Sequence, residues 1–146
     1  MSLEFRKMRE EDLDEVYEIE QSSFSDPWPQ EFFKLDFMHD DYVAIQGKQV
    51  AGYLCALQVL DECTIANISV KPSLRRQGIA EYLFQELYKI MDKRDVRFYY
   101  LEVRASNTAA YSLYIKLGFS QIGIRKGYYH NPVEDAVVMS LERKLN

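Results

Sequence analysis

Cysteine and histidine are scarce in this chain of 146 residues, which contains only two of each. Cys55 and Cys63 lie in apolar, strand-like runs and are predicted to be buried thiols in a reducing compartment, which argues against a disulfide framework. His39 and His130 stand apart from any Cys/His ligand spacing. We therefore expect neither structural zinc nor another metal site.

Long hydrophobic runs are also missing. No stretch approaches the roughly 18 apolar residues that a membrane span requires, and no secretory signal opens the sequence. The formal net charge is −5, which argues against a basic surface for general nucleic-acid binding. These absences predict a cytoplasmic protein that binds neither a membrane nor, directly, a nucleic acid.

The composition is that of an ordinary globular protein, with 47% hydrophobic and 28% charged residues. A chain of this length is expected to form one domain, residues 1–146, with a core that needs no cross-links. Neither repeats nor low-complexity linkers interrupt it. The aromatic residues, among them eleven tyrosines and eight phenylalanines, suit an apolar cleft as well as a core.

Acidic residues cluster near the start of the sequence and again before the second predicted strand. The members are Glu10, Glu11, Asp12, Asp14, Glu15, Glu18, Glu20, Asp40 and Asp41. The favoured interpretation is a solvated helix face, with acids concentrated in the first turn. The alternative is a surface that attracts a basic partner or an amine substrate.

Hydrophobic periodicity predicts an alternation of strands and helices. Strands are expected over residues 3–8, 42–46, 49–60, 64–70, 97–104, 119–128 and 135–142. Helices are expected over residues 10–24, 79–91 and 107–117, with a short aromatic helix around Phe32, Phe33 and Phe37. This order predicts an α/β fold, a mixed sheet with helices on its faces.

The segment from Val70 to Ala80, VKPSLRRQGIA, is predicted to run from a strand through a basic turn into a helix. Backbone N–H groups and the positive end of the helix dipole would meet there, which suits a phosphate or pyrophosphate. Arg75 and Arg76 add charge, and Gly78 allows a ligand to approach the backbone. The segment therefore indicates a phosphate-bearing cofactor.

Two common nucleotide motifs do not explain this turn. Gly118, Gly123 and Gly127 have partly P-loop-like spacing, but Ile124 stands where the lysine belongs and no helix follows. A Gly-x-Gly-x-x-Gly dinucleotide fingerprint is absent as well. The turn is therefore predicted to be neither an ATP site nor an NAD site of these kinds.

Other conspicuous residues have ordinary interpretations when spacing alone is considered. Glu102 alternates with Leu101 and Val103, as a solvent-facing strand glutamate does. Tyr114 lies on the apolar face of its helix, as a core aromatic does. Asn107 is placed as a helix N-cap, and Trp28 could fill the edge of a core.

The motifs taken together nevertheless resemble a known family. The turn Arg75-Arg-Gln-Gly-Ile-Ala80 resembles the Arg/Gln-x-x-Gly-x-Gly/Ala signature of the GNAT superfamily, whose members bind acetyl-CoA. With it occur Leu101-Glu-Val-Arg-Ala-Ser-Asn107, Leu113-Tyr-Ile-Lys-Leu-Gly-Phe119, Tyr128-Tyr129 and Glu134-Asp-Ala136. The set is similar to the ribosomal-protein-alanine N-acetyltransferase (RimI) branch over nearly the whole chain. The resemblance implies the GNAT acyltransferase fold, with the cofactor between strands that splay apart.

The resemblance also implies roles for individual residues. Glu102 would be the general base toward the attacking amine, and Tyr114 would protonate the departing thiolate. The implied acetyl-CoA contacts are Ile68, Ser69, Val70, Arg75, Arg76, Gln77, Gly78, Ile79, Ala80, Glu81 and Asn107. Direct transfer in a ternary complex is expected, with no acyl-enzyme on either cysteine.

The implied acceptor is the α-amine of a protein N-terminus, an alanine of a small-subunit ribosomal protein. Trp28, Tyr128 and Tyr129 are expected to contact it, although Pro29 and Gly127 beside them depart from the branch's pattern. Two alternatives stay open: acetylation of lysine side chains or a small amine, and a non-enzymatic CoA-binding interaction module.

Overall fold

Seven strands form one mixed sheet in the order β1-β2-β3-β4-β5-β7-β6. The computed structural model describes residues 2–144. The strands are β1 (Leu3–Lys7), β2 (Asp40–Gln46), β3 (Gln49–Val59), β4 (Glu62–Val70), β5 (Phe98–Arg104), β6 (Ser120–Tyr129) and β7 (Glu134–Glu142). The helices are α1 (Leu13–Ser23), α2 (Ile79–Asp92) and α3 (Thr108–Lys116). The predicted α/β architecture is confirmed.

Apolar residues cover both faces of this sheet. The larger cluster joins α2 and α3 to one face, and the spacing of Ile79, Leu83, Leu87 and Met91 explains why α2 packs there. A smaller cluster joins α1 to the other face over β2 and β3, with Val16 and Ile19 from the helix. The two cysteines are buried, as predicted.

The prediction of a short aromatic helix is wrong. Only Gln30–Phe32 forms a single 3-10 turn, and Phe33 packs separately on the core. The Asp36 carboxylate accepts hydrogen bonds from the backbone N–H groups of Met38 (3.0 Å) and His39 (3.1 Å). Because an aspartate bonded to the following backbone favours a turn, the segment leads into β2 without a helix.

The favoured interpretation of the acidic cluster, a solvated helix face, is wrong for four of its members. These buried carboxylates are Asp12, Glu20, Asp40 and Asp41. Asp12 accepts two hydrogen bonds from Arg6, at 2.7 and 2.9 Å, and Asp40 accepts two from Arg94, at 3.0 and 3.1 Å. Partners of this kind are what a buried carboxylate requires.

The centre of the sheet contains its only parallel neighbours among the described strands, β4 and β5. They pair through three residues each, Glu62–Thr64 with Phe98–Tyr100, and the pairing then stops. Farther along β4, Cys55 of β3 faces Asn67 while Ala56 faces Ile65, so Ala66 forms a bulge. The two strands therefore separate and leave a gap that opens toward the turn before α2.

No helix within residues 2–144 combines the length and the apolar character that crossing a bilayer requires.

Gly52 holds β3 close to β4 beside this gap. A Cβ added to residue 52 would lie 2.9 Å from the backbone oxygen of Ser69 and 3.4 Å from Cγ2 of Ile79. We expect Gly52→Ala to lower the free energy of unfolding by about 1–3 kcal/mol, because the backbone of β4 must move. Urea denaturation followed by circular dichroism measures this change.

Gly123→Ala is the matched control, because a Cβ at residue 123 meets no described atom within 4 Å. Its denaturation midpoint is expected to stay at the wild-type value. Equal midpoints for the two variants would contradict a close approach at Gly52.

Candidate active site

The gap between β4 and β5 is the most distinctive cleft of the fold. Its walls are strand edges, since β4 has no partner on the β5 side beyond Thr64 among the described residues. Ile68 and Val70 direct their side chains to the α2 face, while the Ser69 side chain lies on the α1 face. Along this stretch, therefore, the backbone N–H and C=O groups of β4 line the gap.

The turn between β4 and α2 lies at the open end of the gap and can hold an anion. Gly78 is the residue before α2, has a left-handed φ of 77° and has no side chain to cap the helix. The first N–H groups of α2, from Ile79 to Glu81, have no partner within the helix. A Cβ at residue 78 would meet no described atom within 4 Å, so the approach is open. These features fit a pyrophosphate group.

Two side chains predicted for the cofactor site brace the turn. Arg75 donates from Nε to the Val70 carbonyl (3.2 Å) and from a terminal nitrogen to Ser23 Oγ (3.0 Å) at the end of α1. Glu81 forms an ion pair of 3.0 Å with Lys116 of α3. Backbone groups, with exposed Arg76 and Gln77, therefore remain to meet a ligand.

Glu102 lies on the middle of β5, opposite in direction to buried Leu101 and Val103. Its side chain is 25% exposed and accepts a hydrogen bond of 2.9 Å from Nε of Arg125 on β6. It is therefore half-buried and ion-paired, unlike the freely solvated strand glutamate that its spacing alone favours.

Tyr114 of α3 lies on the opposite face of the sheet from Glu102. Its ring packs edge-on against Phe84 and Phe119, each 6.0 Å away between centroids, so it is the core aromatic that its spacing indicates. Burial raises the pKa of the Tyr114 hydroxyl, and nearby Tyr129 raises it further. Asn107 is the N-cap of α3, where its Oδ1 accepts from Ala110 N at 3.1 Å.

Tyr129 lies close to Glu102. Burial raises the pKa of Tyr129 to about 12, and the charge of Glu102 contributes to the shift. The Arg104 guanidinium lies 4.6 Å from the Tyr129 ring centroid, within cation–π range. Tyr128 packs edge-on against Tyr129 at 5.1 Å. The structure thus brings Glu102, Tyr128 and Tyr129 into one cluster.

Arg104 is itself fixed by the chain between β6 and β7. It pairs with Glu134 at 3.2 Å and donates to the carbonyls of His130 (2.8 Å) and Pro132 (3.0 Å). This network holds the two tyrosines against β5. Sequence reasoning missed both Arg104 and Arg125, because their partners lie 20 or more positions away along the chain.

Trp28 lies on the α1 face in the segment between α1 and β2. It is half-buried, packs on Phe33 at 5.3 Å, and its backbone N–H donates to Glu20 at 2.9 Å. Sequence reasoning also missed Glu20. The available signal was its spacing: Glu20 follows buried Val16 by four positions and so shares the apolar side of α1.

Neither metal nor thiol chemistry has support within the described part of the chain. No three His, Cys, Asp or Glu side chains of residues 2–144 are grouped so that they could hold a metal ion. Burial raises the pKa of Cys63 to about 12 and that of Cys55 well above its ordinary value. Buried thiols of this kind are poor nucleophiles.

Comparison with known proteins gives a consistent family assignment. Residues 13–119 match the Acetyltransferase (GNAT) family. A putative [ribosomal protein bS18]-alanine N-acetyltransferase of Bacillus subtilis is 41% identical over 138 residues, covering 92% of this chain and 91% of that protein. The corresponding enzyme of Escherichia coli K12 is 38% identical over 134 residues, covering 89% and 90%.

The three-dimensional comparison agrees. The crystal structure of the ribosomal-protein-S18-alanine N-acetyltransferase from Escherichia coli superposes with a TM-score of 0.91 and 34% identity, covering 99% of this chain and 96% of that chain. The splayed strands, the uncapped helix start and these similarities lead to one conclusion. The chain belongs to the GNAT family of acetyltransferases.

Proposed function

We propose that this protein transfers the acetyl group of acetyl-CoA to the α-amine of a protein N-terminus, an alanine of a small-subunit ribosomal protein. One observation supports the proposal: β4 and β5 separate, with Glu102 on the α1 face of β5 and Tyr114 on the opposite face, under α2. On this proposal the two substrates meet in the gap, the acceptor amine beside Glu102 and the thioester beside Tyr114. The 38% identical relative from Escherichia coli K12, named a [ribosomal protein bS18]-alanine N-acetyltransferase, supports the choice of acceptor.

The cofactor-binding residues follow from the shape of the gap. The backbone of Ile68, Ser69 and Val70 holds the acetyl carbonyl and the pantetheine arm, and residues 76–81 cradle the pyrophosphate. Asn107 keeps its amide nitrogen available for the cofactor, because within residues 2–144 it is the side-chain oxygen that caps α3. Bound acetyl-CoA supplies an acetyl group that is activated as a thioester.

Glu102 is the general base. An α-amine has a pKa of about 7.7–8, against about 10.4 for lysine, so a modest base suffices at neutral pH. Glu102 accepts the amine proton, directly or through a water, while the C–N bond forms. Its ion pair with exposed Arg125 must loosen first, which leaves the carboxylate free to meet a cationic acceptor.

Tyr114 is the general acid. A phenol has an ordinary pKa of about 10 and is protonated at neutral pH, and burial raises the pKa of Tyr114 further, so its proton is in place when the C–S bond breaks. In this role the hydroxyl gives its proton to the leaving sulfur, whose thiol has an ordinary pKa of about 8.5. The inert cysteines support direct transfer without an acyl-enzyme.

The acceptor lies on the α1 face between Trp28 and the paired Tyr128 and Tyr129. We also propose that the chain works as a single domain in the cytoplasm, where it meets newly made ribosomal proteins. A non-enzymatic CoA-binding module would need neither Glu102 nor Tyr114, so the presence of both residues supports the enzyme.

The acceptor class can be tested with isotope-labelled acetyl-CoA and three substrates. These are a basic peptide starting with alanine, the same peptide with a blocked N-terminus and internal lysines, and a polyamine. We expect label on the free N-terminus alone, detected by mass spectrometry. Label on lysine or polyamine would support the alternative acceptors, and acetyl-CoA binding without any transfer would support a binding module.

Glu102→Gln is expected to lower kcat/KM by roughly 10²–10⁴-fold at neutral pH. The loss should shrink as the pH rises above about 8, because the amine then loses its proton unaided. Rate profiles between pH 6 and 9.5 measure this trend. Glu142→Gln, which breaks a similar strand Glu–Arg pair of 3.2 Å with Arg97, is the control and should leave the profile unchanged. A loss that is constant with pH would assign Glu102 to positioning.

Tyr114→Phe keeps the ring and removes the proton donor. We expect acetyl-CoA affinity by calorimetry to stay within twofold of the wild-type value, while kcat falls about 10²-fold. Tyr111→Phe is the control on the same helix, since its hydroxyl lies 3.5 Å from Gln121. Wild-type turnover by Tyr114→Phe would remove the hydroxyl from the mechanism.

A further inference from the structure

We propose that Glu20 is a positioning residue of the transfer reaction, whose buried carboxylate fixes the acceptor-side loop relative to the strand that holds the thioester. The inference rests on the proposed function, because it gives a role to a residue that touches neither substrate. Glu20 lies near the end of α1 and is 2% exposed. A carboxylate in such a place requires partners for both oxygens.

Three donors satisfy this carboxylate, and each comes from a different element. Oε2 accepts from the backbone N–H of Trp28 at 2.9 Å. Oε1 accepts from Nδ2 of Asn67 at 2.7 Å and from the hydroxyl of Tyr53. Among the described residues no cation forms an ion pair with Glu20, so its polar partners are these three hydrogen-bond donors.

Two of the donors belong to the two walls of the active site. Trp28 lies in the loop that is proposed to contact the acceptor. Asn67 follows the bulge at Ala66 and directly precedes Ile68, whose backbone is proposed to hold the acetyl carbonyl. Tyr53 of β3 supports Oε1 from the buried side. One side chain of α1 therefore bridges the two surfaces between which the reacting atoms must meet.

The distance that Glu20 sets between the Trp28 loop and β4 matters for the reaction, because acetyl transfer requires the amine and the thioester in a near-attack geometry. A displacement of about 1 Å between reacting groups can lower a rate by roughly 10²-fold. Loss of the Glu20 carboxylate frees Trp28 on one wall and Asn67 on the other. We therefore infer that loss of the Glu20 carboxylate misaligns the acceptor amine and the thioester, in addition to any change in the stability of the protein.

Glu20→Met tests this role, because it keeps the length of the side chain and replaces both carboxylate oxygens with a thioether, whose sulfur is only a weak acceptor. Trp28 is the only tryptophan of the chain, so its fluorescence reports directly on the loop. We expect a red-shifted emission and stronger acrylamide quenching. We also expect at least about a tenfold rise in KM for the N-terminal peptide, with the KM for acetyl-CoA changing less than threefold.

Glu20→Gln is the conservative variant. Its single carbonyl oxygen can still accept from Trp28, while the Tyr53 hydroxyl and the Asn67 amide can turn to accept from its NH2 group. It should therefore restore most of the Trp28 emission and of the peptide KM. A restored KM with a neutral side chain would assign the effect to hydrogen bonding and not to charge.

Tyr42→Phe is the matched control for stability. It removes another buried hydroxyl–carboxylate bond, of 2.8 Å to Asp40, on the opposite face of the sheet. All assays are run well below the unfolding temperature of the least stable variant. Tyr42→Phe should unfold at a lower temperature than the wild-type protein without changing Trp28 emission or the peptide KM.

Asn67→Ala keeps the test decisive if Glu20→Met folds poorly. This substitution removes the hydrogen bond between Glu20 and β4 but keeps the one to Trp28. We therefore expect kcat to fall about tenfold while Trp28 emission stays at the wild-type wavelength. Unchanged emission in Glu20→Met, or wild-type kcat and KM in Asn67→Ala, would overturn the proposal. A wild-type protein that does not acetylate the peptide would count against the proposed acceptor, and the emission of the Glu20 variants would still decide whether Glu20 holds the loop.

Discussion

The early end of the pairing between β4 and β5 is the constraint on which the rest of the molecule depends. Three residue pairs hold the strands together, and beyond Thr64 the described part of the sheet continues as two diverging edges. Because α2 connects these strands, its N-terminus lies at the mouth of the gap. Because residues alternate along β5, Glu102 faces one side of the sheet, while Leu101 and Val103 pack on the other side in the same cluster as Tyr114.

Most side chains around the gap stabilise the fold, so only a few groups remain that could bind or react with a substrate. Arg75 braces the turn against Ser23, and Ile79 fills the core. The ring of Tyr114 belongs to the core while its hydroxyl is proposed to react. A cofactor would therefore meet mainly rigid backbone. Such a site is already ordered before a cofactor binds, so binding costs little conformational entropy of the protein.

The sequence alone predicts much of this architecture, because α2 and the strands have clear periodicity. The family resemblance supplies Glu102 and Tyr114, whose spacing alone indicates a surface glutamate and a core tyrosine. Other features depend on distant partners. The bulge at Ala66 has no glycine to mark it, and the burial of Glu20 depends on donors up to 47 positions away. Local pattern cannot reveal such pairings.

The aromatic segment before β2 failed as a prediction for a related reason. Its residues have apolar spacing compatible with a helix, but the Asp36 carboxylate bonds to the backbone that a helix would need. A local side-chain hydrogen bond thus outweighs hydrophobic periodicity in a short segment. Trp28 lies just before this segment and packs on Phe33, so an irregular backbone, fixed by tertiary contacts, forms the proposed acceptor wall.

The unequal size of the two apolar clusters has a consequence for motion. The cluster under α2 and α3 contains most of the buried residues, whereas α1 and the Trp28 loop rest on a smaller one. Segments with fewer buried contacts open at lower free energy than the whole molecule unfolds. Amide hydrogens of α1 should therefore exchange with solvent through partial openings that leave α2 intact. The proposed acceptor side can thus open locally while the proposed cofactor side stays folded.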